Sequence, residues 1–441
     1  MAGLMNNYFY GKAGKGDYTV DQMPTTRKQL FFTTLRVRFS SMVGLNLLHV
    51  VFLLPMIIWL FINYQTLTMY ATDEAYKLGG AEMKAAYEAY IEKYDLYSAI
   101  QNEAQNTAEL EYELGDVNAK IAKIEAGETI MVKEAPVVEG GEETERPATI
   151  EELTKKKKEL EAKLARQAEY RGYAADEAFM ETLKSDYQET SKEYNSYRRS
   201  ALLSNISMLL LVMIPMMGLA GIGSTGQMYI LRNWARDEHA FMWQDYKASI
   251  KENWKQGLVV GLLNGLSLFL AYIAYVFYGD MASSRGVFFV IPQMLMVVLL
   301  IVWWMINEVI FPMMVTYDMK LSQLIRNSAI MVVARLPISF VILLGSLVVP
   351  VLLVFFVPYP QISMMILVLL YGLIGFSLTG FVYASYANDL FDRYLNPRIE
   401  GAEVGKGLHR PDDDEDDEEE NKPAETAETE KPENFWEHKS R

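Results

Sequence analysis

Two ionisable side chains interrupt otherwise apolar sequence, and through them this chain could do chemistry inside a membrane. They are His49 and Glu308, the latter closing the run WWMINE at residues 303–308. Charge near a bilayer centre is costly, so such a carboxylate points to a proton or cation pathway, or to a buried pair with a basic loop residue. Glu308 also stands at the expected end of its apolar stretch, where it would simply reach water. His49 fits neutral packing between helices. No relay of further carboxylates accompanies them. The run GIGSTGQM at 221–228 has the look of a phosphate loop, but it lacks the lysine–hydroxyl pair of a Walker motif and follows no β-strand pattern. Its glycines instead suit a tight turn at a helix end. Cysteine is absent, which excludes disulfides, thiol catalysis and cysteine-rich metal sites. No catalytic residue, metal site or cofactor is expected, and the chain is not expected to be an enzyme.

The elements that would position these residues are membrane helices. Hydrophobic residues make up 51% of the chain, but they concentrate in 39–63 and 201–392, and the charges gather in the segments between and after. Six stretches approach the ~20 apolar residues that span a bilayer: 39–61, 202–222, 258–278, 287–306, 336–357 and 362–383. A soluble core could hide one such stretch but not six. The first follows a long segment that includes Gly11, Gly14 and Gly16, and it ends in WLFINY at 59–64, which resembles a helix reaching an aromatic interface. It reads as a retained anchor rather than a cleaved signal. The expected fold is all-α, a polytopic membrane helical bundle.

Lysine and arginine near helix ends set the orientation. Lys12, Lys15, Arg27, Lys28, Arg36 and Arg38 precede the first span. Arg232, Arg236, Lys247, Lys251 and Lys255 follow the second, Lys320, Arg326 and Arg335 follow the fourth, and Arg393 and Arg398 follow the sixth. The opposite short loops offer only Arg285. Both termini are therefore expected to be cytoplasmic and the segment between the first two spans extracytoplasmic, in a multi-pass protein of a cell membrane.

That segment, residues 64–200, predicts a long antiparallel coiled-coil hairpin. Leu110, Leu114, Val117, Ile121 and Ile124 follow four–three spacing, and Ile150, Leu153, Lys157, Leu160 and Leu164 echo it in a second arm. Lys157 weakens the seam, though its aliphatic stem still covers apolar surface. Gly127, Pro136, Gly140, Gly141 and Pro147 break helical continuity between the arms. Each arm has about 50 residues, or about 75 Å at the helical rise. Tyrosines line both arms, among them Tyr87, Tyr90, Tyr94, Tyr97, Tyr187 and Tyr194. They suit wet helix packing, or contact with a glycan or a protein partner.

Within the spans, Gly257, Gly261 and Gly265 recur every four residues and give one small face for close helix approach, within the chain or against a second copy. Pro215, Pro292, Pro312, Pro337 and Pro350 interrupt or start helices. Residues 228–256 mix rings and cations, with Arg232, Trp234, Arg236 and Trp254 among them. They are expected to form a cytoplasmic interfacial helical pair, with apolar rings in the membrane and cations at lipid headgroups, or a dock for another subunit. Residues 400–441 hold 16 Asp/Glu against 6 Lys/Arg, including the run DDDEDDEEE at 412–420. Such a tail repels itself, is expected to be disordered from residue 396 onward, and disfavours nucleic acid as a partner. The expected organisation is thus 1–38 cytoplasmic segment, 39–63 first membrane helix, 64–200 hairpin, 201–395 the other five helices with the 228–256 segment, and 396–441 acidic tail.

Several runs outside the hairpin are similar to the YesL-type family of small bacterial integral membrane proteins: MNNYF at 5–9, LNLL at 45–48, Ile214-Pro215, MYILRNWARDE at 228–238, FMWQDY at 241–246 and NWKQG at 253–257. The resemblance covers 1–63 and 201–395, and the hairpin and tail depart from it. It implies a setting near carbohydrate-uptake and polysaccharide-degradation systems and offers no catalytic residue to carry over. Two functions follow as expectations. One is a non-enzymatic membrane accessory or scaffold whose hairpin engages a transport-system or envelope protein. The other is a transporter, or an integral subunit of a solute transport complex.

Overall fold

The computed structural model describes residues 23–103, 107–134, 144–356 and 360–409. The MNNYF run and the acidic run at 412–420 lie outside them. In chain order the elements are α1 (Arg27–Ala71), a 3-10 turn (Asp73–Lys77), α2 (Ala81–Glu103), α3 (Thr107–Glu125), β1 (Met131–Glu134), β2 (Thr144–Pro147), α4 (Ile150–Ala175) and α5 (Glu177–Trp234). There follow α6 (Met242–Arg285), a 3-10 turn (Val287–Phe289), α7 (Val290–Met314), α8 (Leu321–Ala334), α9 (Leu336–Phe356), α10 (Pro360–Leu370), a π-helical turn (Tyr371–Gly375) and α11 (Phe376–Tyr394), with a last 3-10 turn at Asn396–Arg398. The chain forms two compact units, one of Met1–Phe61 with Ser207–Arg441 and one of Ile62–Ile206.

Among the described residues, six helices are long and apolar enough to cross a membrane: Arg27–Tyr70, Glu177–Trp234, Met242–Arg285, Val287–Met314, Leu336–Leu353 and Ile362–Arg398. Their outward positions, such as Leu299, Val341 and Leu352, are exposed. So much contiguous apolar surface is untenable in water and natural in lipid. Several of these helices run past the apolar stretches that announce them. The first begins twelve residues before 39, so residues 27–38 belong to α1 rather than to a separate segment.

The core of the first unit gathers Met42 and Leu45 of α1, Ile230, Leu231 and Trp234 of α5, Val260 of α6, Met305, Ile310 and Met313 of α7, Leu324 of α8, and Phe381, Leu390 and Phe391 of α11. The small face of α6 packs inside the chain, on α5. A β-carbon at Gly257 would lie 2.6 Å from Thr225 Cγ2 and 2.7 Å from the Gly221 carbonyl oxygen. One at Gly265 would lie 2.7 Å from the Ile214 Cα, and one at Gly261 would overlap the Met217 carbonyl oxygen. On the facing helix, a β-carbon at Gly221 would overlap the Gly257 carbonyl oxygen. The two backbones therefore touch, and no side chain larger than hydrogen fits between them.

The second unit has two apolar centres of its own. Val117, Leu153 and Leu160 are buried together, with Leu110, Leu114, Ile121 and Ile124 packed around them, so α3 rests on α4 through the apolar positions of its spacing. Lys157 stays half-exposed on that seam and reaches Glu161 at 3.9 Å. The connection is not merely irregular: β1 and β2 pair antiparallel, with Met131 opposite Pro147 and Glu134 opposite Thr144. Arg146 then forks onto the Glu152 carboxylate at 3.0 and 3.1 Å, and Thr149 caps α4 by accepting from the Glu152 N–H. The other centre is aromatic. Tyr76 stacks on Tyr87 at 4.0 Å, Tyr90 on Tyr194 at 5.7 Å and Tyr97 on Tyr187 at 5.6 Å, around a buried Tyr194.

The glycine seam makes the first prediction. Gly261→Leu must push two backbones apart, and overpacking of that kind costs about 1–3 kcal/mol or more. The melting temperature in detergent is expected to fall clearly. Gly345→Ala, where an added β-carbon meets nothing within 4 Å, is expected to leave it nearly unchanged. Equal behaviour of the two variants would refute the seam.

Candidate functional site: polar groups buried between the membrane helices

Glu308 lies six residues inside the end of α7, in an unbroken buried stretch from Met305 to Met314. Its relative exposure is 0%, and neither carboxyl oxygen has a hydrogen-bond partner. The expectation that it reaches water at a helix end therefore fails, because α7 continues past the apolar run and carries the carboxyl into the core. Among the described residues it forms no ion pair with a basic loop residue either. Its electrostatic neighbours are the phenols of Tyr383 and Tyr386 on α11. Each phenol is tied to a serine of α9: Tyr383 Oη to Ser346 Oγ at 3.0 Å and Tyr386 Oη to Ser339 Oγ at 2.6 Å.

The residue before it turns to a different neighbour, as successive helical positions must. Asn307 Oδ1 accepts from Asn264 Nδ2 of α6 at 2.9 Å, and Asn264 Oδ1 accepts from Trp303 Nε1 at 2.9 Å. Asn264 and Asn307 thus satisfy each other across the α6–α7 contact, whereas Glu308 is left alone beside them.

A second polar group closes around the π-helical turn Tyr371–Gly375. A π turn shifts the backbone register and leaves carbonyls without their helical donors. Asn46 of α1 supplies them: its Nδ2 donates to the Tyr371 and Gly372 carbonyls at 2.8 and 2.7 Å, and its Oδ1 accepts from the Ser377 N–H at 2.8 Å. Ser377 Oγ in turn accepts from Gln227 Nε2 of α5 at 3.0 Å. His49, one turn along α1, is buried with its ring 6.0 Å from Phe376 and lies against the Gly223 carbonyl. Sequence reasoning missed Asn46, Gln227 and Ser377. The only signal for them was the polarity of single residues inside apolar runs.

The 228–256 segment does not form a separate interfacial pair. Its first part is the end of α5 and its second the start of α6, with the break at 235–241. Met228, Leu231 and Trp234 are core, not lipid-facing. Arg38 sits over the Trp234 ring at 5.9 Å, and Arg232 over Tyr229 at 5.0 Å. In the second part Phe241, Trp243 and Trp254 are exposed, with Lys247 4.8 Å from the Trp243 ring and Lys255 5.8 Å from that of Trp254. Arg236 faces Glu238 at 3.7 Å.

Around this break the residues after α11 form a clasp, so the tail expected to be disordered from 396 is structured through His409. Arg27 pairs with Asp392 and donates to the Lys406 carbonyl at 2.9 Å, and the His409 N–H donates to the Pro24 carbonyl at 3.0 Å. Lys406 reaches Glu403 at 2.7 Å and Glu238 at 3.0 Å. Gly407, at a φ of +81° that favours glycine, lets the backbone lie on the Arg236 carbonyl. A cavity of about 470 Å³ beside it is lined by Thr34, Arg38, Asp237 and His409 among others. Burial pushes the Asp237 carboxyl up, and Arg38 pulls it back.

Among the sequence-predicted residues, the structure brings Gly257, Gly261 and Gly265 to one seam, Leu114 and Leu160 to one cluster, and Arg232, Trp234 and Arg236 to one break. Glu308 and His49 do not hydrogen-bond each other and belong to different polar groups. Trp254 stands on the surface.

Two outcomes follow. Asn46→Ala strips the π turn of its capping amide, and unsatisfied buried groups cost about 1–3 kcal/mol. A clear drop in thermal stability is expected, with none for the exposed Asn102→Ala. In the clasp, the hydrogen bond from Lys406 holds the Glu403 carboxyl below its ordinary value of 4.5, and Glu403 then Glu238 hold Lys406 above 10.5. The Glu403 contribution is complete above 4.5 and lost as pH falls through the lowered value. That of Lys406 is complete below 10.5 and lost as pH rises through the raised one. Because cysteine is absent, a spin label on A402C reports the segment alone. It is expected to be immobile between those limits and to loosen beyond both. Mobility that does not change with pH would count against the clasp.

A family model described as Protein of unknown function, DUF624, matches residues 196–275. The matched stretch holds both sides of the glycine seam and the MYILRNWARDE, FMWQDY and NWKQG runs. No curated protein and no solved structure matches the chain.

Proposed function

We propose that this chain is a YesL-like, non-enzymatic accessory or scaffold protein of a bacterial cell membrane, with both termini cytoplasmic and residues 64–200 forming an extracytoplasmic antiparallel coiled-coil hairpin. The observation that carries this reading is the compact unit Ile62–Ile206, inserted in sequence between two membrane-length helices and packed on its own leucine and tyrosine centres. A unit that satisfies its own apolar positions and turns charged faces outward suits engagement of a partner better than enclosure of a substrate. The partner in this reading belongs to a carbohydrate transport or cell-envelope system. The half-exposed rim of the tyrosine cluster, at Tyr94 for example, is where a glycan would stack. Trp243 and Trp254 with their lysines would meet lipid headgroups or a cytoplasmic subunit.

A transporter, or an integral subunit of a solute transport complex, is the second reading, and the unpaired Glu308 inside the first unit favours it. Copurification from native membranes with and without residues 75–195 separates the two. Loss of partners on deletion is expected. An unchanged set of partners would remove the scaffold reading, and solute uptake by the purified protein alone in liposomes would establish the second.

A further inference from the structure

The carboxyl of Glu308 has a setting that neither packing nor scaffolding uses. It is enclosed at 0% exposure, both oxygens are unpartnered, and among the described residues no cation pairs with it; on α8, which also packs on α7, Arg326 is exposed and Ser328 turns to Met313. From α6 comes Asn264, whose amide is already bonded to Asn307 and Trp303 of α7. From α9 come only the serines Ser339 and Ser346, and from α11 the phenols Tyr383 and Tyr386. Arg335, before α9, donates instead to the Tyr394 hydroxyl at 3.2 Å. An ionised carboxylate in such a place would be uncompensated, whereas the acid form removes the charge. Pro312, four residues on, has no N–H to give the Glu308 carbonyl, so α7 lacks a helical bond at this point.

One hydroxyl chain leads away from it. Tyr383 is hydrogen-bonded to Ser346, and Ser346 lines a cavity of about 340 Å³ between α9 and the π turn, together with Tyr371, Thr379 and apolar residues including Val349 and Leu378. Tyr371 Oη also bonds the Ser346 carbonyl, at 3.4 Å.

We propose that Glu308 is a proton-binding site inside the membrane bundle, and that it exchanges its proton with the α9–π-turn cavity through the hydroxyls of Tyr383 and Ser346. In the exchange the carboxyl O–H gives its proton to Tyr383 Oη, Tyr383 passes its own to Ser346 Oγ, and Ser346 passes one to water in the cavity. One proton leaves, one carboxylate remains, and no electrons move. Glu308 and Tyr383 are not hydrogen-bonded at rest, so a side-chain rotation must close that link, and the proline-loosened turn of α7 is where it does. The proposal is independent of the scaffold reading and holds whether or not a solute moves with the proton.

Infrared spectroscopy of the full chain in lipid nanodiscs tests it. The wild type minus Glu308→Gln difference at neutral pH is expected to contain a carboxylic-acid carbonyl band. If Glu308→Gln does not fold, wild type grown with carboxyl-13C glutamate reports the same band by its isotope shift. Absence of the band at neutral pH overturns the proton site. On transfer to heavy water the band is expected to shift, and in Tyr383→Phe, which keeps the band, the shift is expected to be at least about tenfold slower, as for loss of a positioned proton donor. Equal exchange rates in Tyr383→Phe and wild type overturn the route. Partner copurification is a separate measurement, so the failure of either reading is distinguishable from that of the other.

Discussion

The contact on which the first unit depends is the backbone-to-backbone approach of α5 and α6. Lipid offers apolar side chains no reward for leaving it, so helices in a membrane associate by close packing and by polar contacts. Gly257, Gly261 and Gly265 meet Ile214, Met217, Gly218 and Gly221 without intervening side chains. Once the backbones are that close, short polar groups reach across. Ser249 Oγ donates to the Thr225 carbonyl at 3.0 Å, and Tyr246 Oη donates to the Gly223 carbonyl at 3.2 Å. Bulk at any of the three glycines would undo both.

With α5 and α6 fixed, the remaining helices are placed by a few polar side chains, each satisfied by a specific partner. Asn264 and Asn307 join α6 to α7, Gln227 and Ser377 join α5 to α11, and Asn46 joins α1 to the π turn. Each such bond contributes modestly, about 0.6–2 kcal/mol, but each also forbids slippage, because a one-residue shift would leave an amide unpaired in a place where water is scarce. Glu308 stands apart from this scheme. Both of its buried carboxyl oxygens are without a hydrogen-bond partner.

Much of this was legible in the residues, and where it was not the reason is physical. Spans announce themselves through composition, and the four-residue glycine repeat announces a close approach. The partner of that repeat is not announced, because Gly221 reads equally well as part of a turn. Leu110, Leu114, Val117, Leu153 and Leu160 share a cluster as their spacing suggests, since period and packing are one statement for a helix. The end of α7 was misplaced because hydropathy stops at Glu308, whereas the helix and its burial continue to Met314. Residues 228–256, Trp234 and Arg232 among them, read as an interfacial helical pair because their types occur at both surfaces and cores, and only the tertiary neighbours decide. The π turn leaves no periodic trace at all. The strands β1 and β2 were hidden in a segment whose glycines and prolines speak first.

The link from Asn46 to the Tyr371 carbonyl spans 325 positions of sequence. During biosynthesis α1 is made long before the π turn exists. Until the ribosome has delivered that turn, the Asn46 amide has none of the acceptors it holds in the finished protein. The early intermediate thus carries an unmet polar group into the membrane. Completion of this contact must wait for the segment that carries the π turn.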